Sequence, residues 1–202
     1  MKVWAILLRA TAAAALVAYP AFVWIGLASG SPRTVAIVLS ALMVPALVLR
    51  KRRSDAEPTL RGLPAVPATI LAILLVAAVL DGTAYILATP VAANAVLLVS
   101  FGVTLRASSR PMIERFARLQ EPDLSPPKQA WCRMWTWIWC AFFVANGAAA
   151  AALALYAEMK WWAFYNGLLA YALIGCLFAI EWLLRRVRFP DLRGRKAEAP
   201  RS

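Results

Sequence analysis

The side chains that could do chemistry gather in the stretch from Ser109 to Arg188. It opens with Ser109-Arg110-Pro111-Met112-Ile113-Glu114-Arg115-Phe116-Ala117-Arg118 and continues through Arg133, Asn146, Asn166, Glu181 and Arg185. Glu114 and Arg118 are four positions apart, the spacing at which a carboxylate and a guanidinium meet on one helix face. Pro111 suits a first turn, where its missing N–H costs nothing. Met112, Ile113, Phe116 and Leu119 share the apolar face of that helix, and Glu114, Arg115 and Arg118 the polar one. The pattern predicts a short helix lying in a membrane interface, or a basic surface for an acidic cytosolic partner. Glu181 and Arg185 repeat the four-residue spacing near a helix end, where a snorkelling pair is expected. Asn94, Asn146 and Asn166 are expected to bond across helices and fix packing. Asn146 and Asn166 would face each other if the helices carrying them pack antiparallel, with Ala148 to Ala152 allowing a close approach.

Several chemistries are excluded by what the chain lacks. It has no histidine, so the usual general base, the commonest metal ligand and every Ser-His or Cys-His arrangement are missing. Its three cysteines, Cys132, Cys140 and Cys176, are scattered without ligand or disulfide spacing. A condensing enzyme that pairs a cysteine with histidines is ruled out, and so is a histidine-dependent acyltransferase. A carboxylate mechanism through Glu181, Asp81 or Glu114 lacks a convergent second carboxylate. The expectation is a chain with no catalytic residue, no metal and no cofactor.

The elements that must position these residues are apolar. The chain is 62% hydrophobic and 16% charged, against about 45–50% and about 25% in ordinary soluble domains. Six apolar runs, at about 10–28, 35–49, 63–80, 84–105, 134–157 and 161–184, read as membrane-spanning helices. The second is short for a span. The runs are apolar on every face, which excludes β-barrel strands. In the six-span arrangement every Lys and Arg except Arg33 and Lys160 falls on one face. The positive-inside rule makes that face cytoplasmic, with both termini inside. The fold expected is therefore an all-α polytopic transmembrane bundle over 1–188. A cytoplasmic interfacial loop spans 106–133, where Pro122, Pro126 and Pro127 end the short helix and re-aim the chain. A basic tail at 189–202 is expected to be disordered. Trp131, Trp135, Trp137 and Trp139 at one interface, and Trp161 and Trp162 at the other, read as aromatic belts.

The net charge of +12 is spread over the helix ends instead of one motif-bearing domain, which argues against nucleic acid and for anionic lipid headgroups. Three groups of residues carry a family resemblance. They are the Ser109–Arg118 motif, Cys132-Arg133…Trp139-x-x-Phe142-Phe143-x-x-Asn146, and Tyr165-Asn166-Gly167…Tyr171…Gly175-x-x-Phe178-x-x-Glu181. Together they resemble an uncharacterised family of bacterial inner-membrane proteins, typically encoded among aryl-polyene or xanthomonadin-type biosynthesis genes beside acyl carrier proteins and acyltransferases. A looser similarity, through Pro111, Trp131-x-Arg133, Trp139-x-x-Phe142-Phe143 and Asn146, is to the inner-membrane-spanning septation protein A family. The closer resemblance covers Ser109 to Arg188, about half the chain. It implies a multi-pass inner-membrane protein acting as a non-enzymatic accessory or scaffold of a lipid or aryl-polyene-type biosynthesis or export system. An acyl carrier protein or acyltransferase would be its cytoplasmic partner. The alternatives are a small carrier for a lipophilic product and an intramembrane acyl-chain enzyme.

Overall fold

The computed structural model describes residues 33–38, 40–41, 65–80, 82–106 and 109–190. Among these the chain is helical and contains no strand. After a helical stretch at 33–38 come α1 (Ala65–Leu80) and α2 (Thr83–Gly102), the latter continued by a 3-10 turn, Val103–Leu105. A short α3 (Met112–Arg118) precedes the long α4 (Pro126–Tyr156). Helix α5 (Met159–Phe164), a π-helical segment (Tyr165–Leu169) and α6 (Ala170–Arg188) form one further rod. The first expected span and most of the second and of the tail lie outside the described residues.

Three helices, Thr83–Leu105, Pro126–Tyr156 and Met159–Arg188, are long and apolar enough to cross a membrane, and Ala68–Leu80 is a shorter apolar helix. At about 1.5 Å per residue the 23 residues of Thr83–Leu105 suffice for a hydrocarbon core of about 30 Å. These are the marks of a helical membrane protein.

The expected boundaries need one correction. Helix α4 begins at Pro126, not near 134, because Pro126 and Pro127 occupy its first turn behind Ser125 instead of breaking it. With 31 residues it is longer than a bilayer requires. Its first two turns carry Lys128, Gln129 and Arg133 beside α3.

The spans pack antiparallel. Along α2 and α4, Asn94 meets Asn146 and Phe101 stacks edge-on against Phe143 at 5.1 Å, while Arg133 reaches Leu105. Along α4 and the last rod, Asn146 meets Tyr165, Trp139 meets Phe178 and Glu181, and Trp131 meets Phe189. One apolar cluster, built on Met112, Cys132, Trp135, Trp139 and Phe143, packs the end that holds α3. A second, built on Val35, Ala36, Leu74, Ile86 and Trp162, packs the opposite end. At that opposite end Arg33 donates to the carbonyls of Ala78 (2.9 Å) and Val79 (3.2 Å), and Lys160 pairs with Glu158. The tryptophans divide accordingly. Trp137, Trp161 and Trp182 are exposed as belt residues should be, but Trp135, Trp139 and Trp162 are buried in the protein, where their area serves helix packing.

Candidate functional site

Helix α3 is held in place from both sides by the spans. Thr104, in the 3-10 turn after α2, donates to its own Phe101 carbonyl and accepts from the Met112 amide at 2.9 Å. Thr136, on α4, donates to Cys132 and accepts from the Ile113 amide at 3.3 Å. The first amides of a helix lack internal partners, and here the threonines of two different helices supply them. Met112 and Ala117 are buried against α4, so α3 docks on the bundle as well as lying at its edge.

Met112 and Ile113 are buried as expected of the apolar face, but that docking changes the expected division of faces at two positions. Glu114 is only 5% exposed and Leu119 is 51% exposed. Burial of the carboxylate is compensated by Arg118, whose Nε donates to Glu114 Oε1 at 2.8 Å. Arg118 Nη1 also donates to the Pro122 carbonyl. A second ion pair, Lys128 Nζ to both oxygens of Glu121 at 2.8 and 3.0 Å, ties the loop to the first turn of α4. Gln129 donates to the Leu124 carbonyl at 2.7 Å. The loop is thereby fixed by side-chain bonds to its own backbone and to α4.

Between α3 and the start of α4 lies an open cleft of about 600 Å³, lined by Ser109, Arg110, Pro111, Glu114, Arg118, Gln129 and Arg133 among others. Arg115, outside the lining, donates through Nε to the Arg110 carbonyl at 3.0 Å. Arg133 Nη2 donates to the Leu105 carbonyl. The lining therefore includes three arginines and one glutamate, and that glutamate is already paired with Arg118.

The other expected site residues lie elsewhere. Asn146 does not bond to Asn166. Its Nδ2 donates to Asn94 Oδ1 at 3.1 Å, and its Oδ1 accepts from the Tyr165 hydroxyl at 2.9 Å. Asn94 Nδ2 donates in turn to the Pro90 carbonyl at 2.8 Å. Asn166 donates to Trp162 in its own helix. A polar chain thus crosses three helices between the two apolar clusters. Gly147 makes room for it, since a Cβ there would come within 3.1 Å of the Asn94 Cβ.

Glu181 is also partnered differently from expectation. It is 9% exposed and accepts a hydrogen bond from Trp139 Nε1 at 3.2 Å. Among the described residues it makes no ion pair with Arg185, which sits half-buried in the last turn of α6. Sequence reasoning did not single out Thr104, Thr136, the Lys128–Glu121 pair or the Trp139 donor. The one available signal was Thr136 itself, a hydroxyl inside a run of tryptophans. No group of three or more His, Cys, Asp or Glu side chains that could hold a metal occurs among the described residues.

Compared with family profiles, curated proteins and solved structures, the chain gives no match.

Proposed function

We propose that this chain is a non-enzymatic membrane scaffold that docks an acidic protein at the basic cleft between α3 and α4. In this reading it is a six-span protein of the bacterial inner membrane with both termini in the cytoplasm. It serves as an accessory component of a lipid or aryl-polyene-type biosynthesis or export system. The partner is an acyl carrier protein or an acyltransferase. The observation that supports the reading is the cleft itself, whose lining includes Arg110, Arg118 and Arg133 and a single carboxylate that is already paired. Fixed charges of one sign steer a partner of the other and set its orientation.

The test is a photo-crosslinker at the exposed Gln120, with an acidic acyl carrier protein as bait. Arg110→Glu is the suitable charge reversal, because its side chain makes no hydrogen bond among the described residues. Arg118→Glu is not suitable, because it would set a second carboxylate against the buried Glu114. Capture should be lost in Arg110→Glu while the amount in the membrane stays level. Undiminished capture at low salt and matched expression would remove the docking reading.

A second reading, a small carrier for a lipophilic product, is supported by a different observation. The chain Asn94–Asn146–Tyr165 lies between Pro90 in α2 and the π-helical segment that contains Tyr165. Helix irregularities flanking mid-membrane polar groups are a feature of transporter sites. Uptake or release of a lipophilic product that depended on Asn146 would favour this second reading.

A further inference from the structure

We propose that the cleft between α3 and α4 binds an anionic phosphate ester through Arg110, Arg118 and Arg133. This rests on the docking reading of the same cleft and names the chemical group it would take. The argument begins with charge. The lining carries three guanidiniums and one carboxylate, and the Glu114–Arg118 contact at 2.8 Å satisfies that carboxylate internally. The charge left for a ligand is that of Arg110 and Arg133, reinforced by the remaining donors of Arg118.

Geometry then selects the anion. Guanidiniums come from three separate segments: the residue before Pro111, the last turn of α3 and the second turn of α4. A carboxylate presents two oxygens in one plane and suits one fork. A phosphate ester presents several oxygens in three dimensions and suits donors arriving from several directions. Lys128, which would add only a point charge, is occupied by Glu121.

Two of the three donors are also pre-organised. Arg118 is held by Glu114 and the Pro122 carbonyl, and Arg133 by the Leu105 carbonyl. For Arg110 only the backbone is held, by Arg115. The cost of ordering the Arg118 and Arg133 side chains is one that ligand binding need not bear again. A volume of about 600 Å³ falls within the range of about 300–1,000 Å³ typical of small-molecule sites. It admits a phosphorylated glycerol or comparable headgroup along with its phosphate. The cleft lies at the polar start of α4, where both lipid headgroups and water-soluble esters are candidate sources of the group.

The experiment is calorimetric titration of the full chain in neutral detergent with three probes: short-chain phosphatidylglycerol, glycerol phosphate and short-chain phosphatidylcholine. At least one anionic ester should bind at one site per chain, and phosphatidylcholine should bind more weakly. Binding of phosphatidylglycerol alone assigns the group to a lipid headgroup, and binding of glycerol phosphate assigns it to a soluble ester. Arg110→Gln and Arg133→Lys should each weaken binding by about tenfold or more, the first by removing a charge and the second by removing the planar fork. Arg186→Gln should leave affinity unchanged, because Arg186 stacks on Trp182 at 3.7 Å outside the cleft. Should Arg186→Gln weaken binding as much as the cleft variants, the charge acts diffusely and the site does not exist. Equal affinity across all variants, or for all three probes, overturns it as well. If carrier-protein capture depends on Arg110 while no ester binds, the docking reading stands and the phosphate site falls. The converse result separates them the other way.

Discussion

Replacing Tyr165 with Phe removes one hydroxyl from the polar chain and leaves the ring in place. The hydroxyl donates to Asn146 Oδ1 at 2.9 Å, and Asn146 is itself buried. Losing it leaves the carbonyl oxygen of a buried side chain without that donor. Interhelical hydrogen bonds of this kind contribute about 0.6 kcal/mol on average in membranes, up to about 1.7 kcal/mol. The 2.9 Å distance and the burial of Asn146 place Tyr165→Phe in the upper half of that range, about 1–1.7 kcal/mol. Asn146→Ala should cost more, since it cuts the bonds to both Asn94 and Tyr165. Adding Tyr165→Phe to Asn146→Ala should then cost almost nothing further. The cycle should therefore show a coupling of about 1 kcal/mol, beyond the ~0.3–0.5 kcal/mol scatter of independent sites. Reversible unfolding in mixed micelles, or steric trapping in a bilayer, measures it. Additive single effects would refute the polar chain as a contributor to helix association.

Thr136→Val keeps the side-chain shape but removes the acceptor for the Ile113 amide, so α3 should loosen by about 1 kcal/mol. Faster amide exchange at Ile113 and faster proteolysis within 106–125 would show it, and unchanged protection would refute the trans-capping role. Trp139→Phe should destabilise the bundle by about 1–3 kcal/mol, because the buried Glu181 loses its indole donor. Adding Glu181→Leu should recover much of that loss in the same unfolding assay, and no recovery would mean that Trp139 acts through packing alone. For the six-span arrangement, reporter fusions after Arg53, Gln120 and Arg195 should read as cytoplasmic, and fusions near Gly82 and Glu158 as external. An external signal at Gln120 would end that arrangement.

Hydropathy and local spacing made much of the architecture legible. Apolar runs located the helices now seen at Ala65–Leu80, Thr83–Gly102, Pro126–Tyr156 and Met159–Arg188 to within a few residues, except at the start of α4. That start was misplaced because apolarity marks where lipid begins, whereas the helix continues wherever backbone and neighbours support it. Pro126 and Pro127 favour a first turn as much as a break, and only α3 packed alongside decides between them. The Glu114–Arg118 pair was readable because its partners are four residues apart on one helix. Burial of Glu114 was not, since it depends on which face of α3 meets α4.

Long-range partners were not legible for the same reason. Asn94 and Asn146 are 52 residues apart, and Trp139 and Glu181 are 42 apart. Whether two such side chains meet depends on how each helix is rotated and offset along its neighbour. A shift of one residue turns a side chain by about 100° at 3.6 residues per turn, enough to exchange one partner for another. Composition and periodicity alone thus determined that the described chain is helical, apolar enough for lipid and able to form the Glu114–Arg118 pair. Tertiary packing decided that Asn146 bonds to Asn94 and Tyr165 instead of Asn166, that Glu181 takes Trp139 as its donor, and that three arginines from separate segments line one cleft.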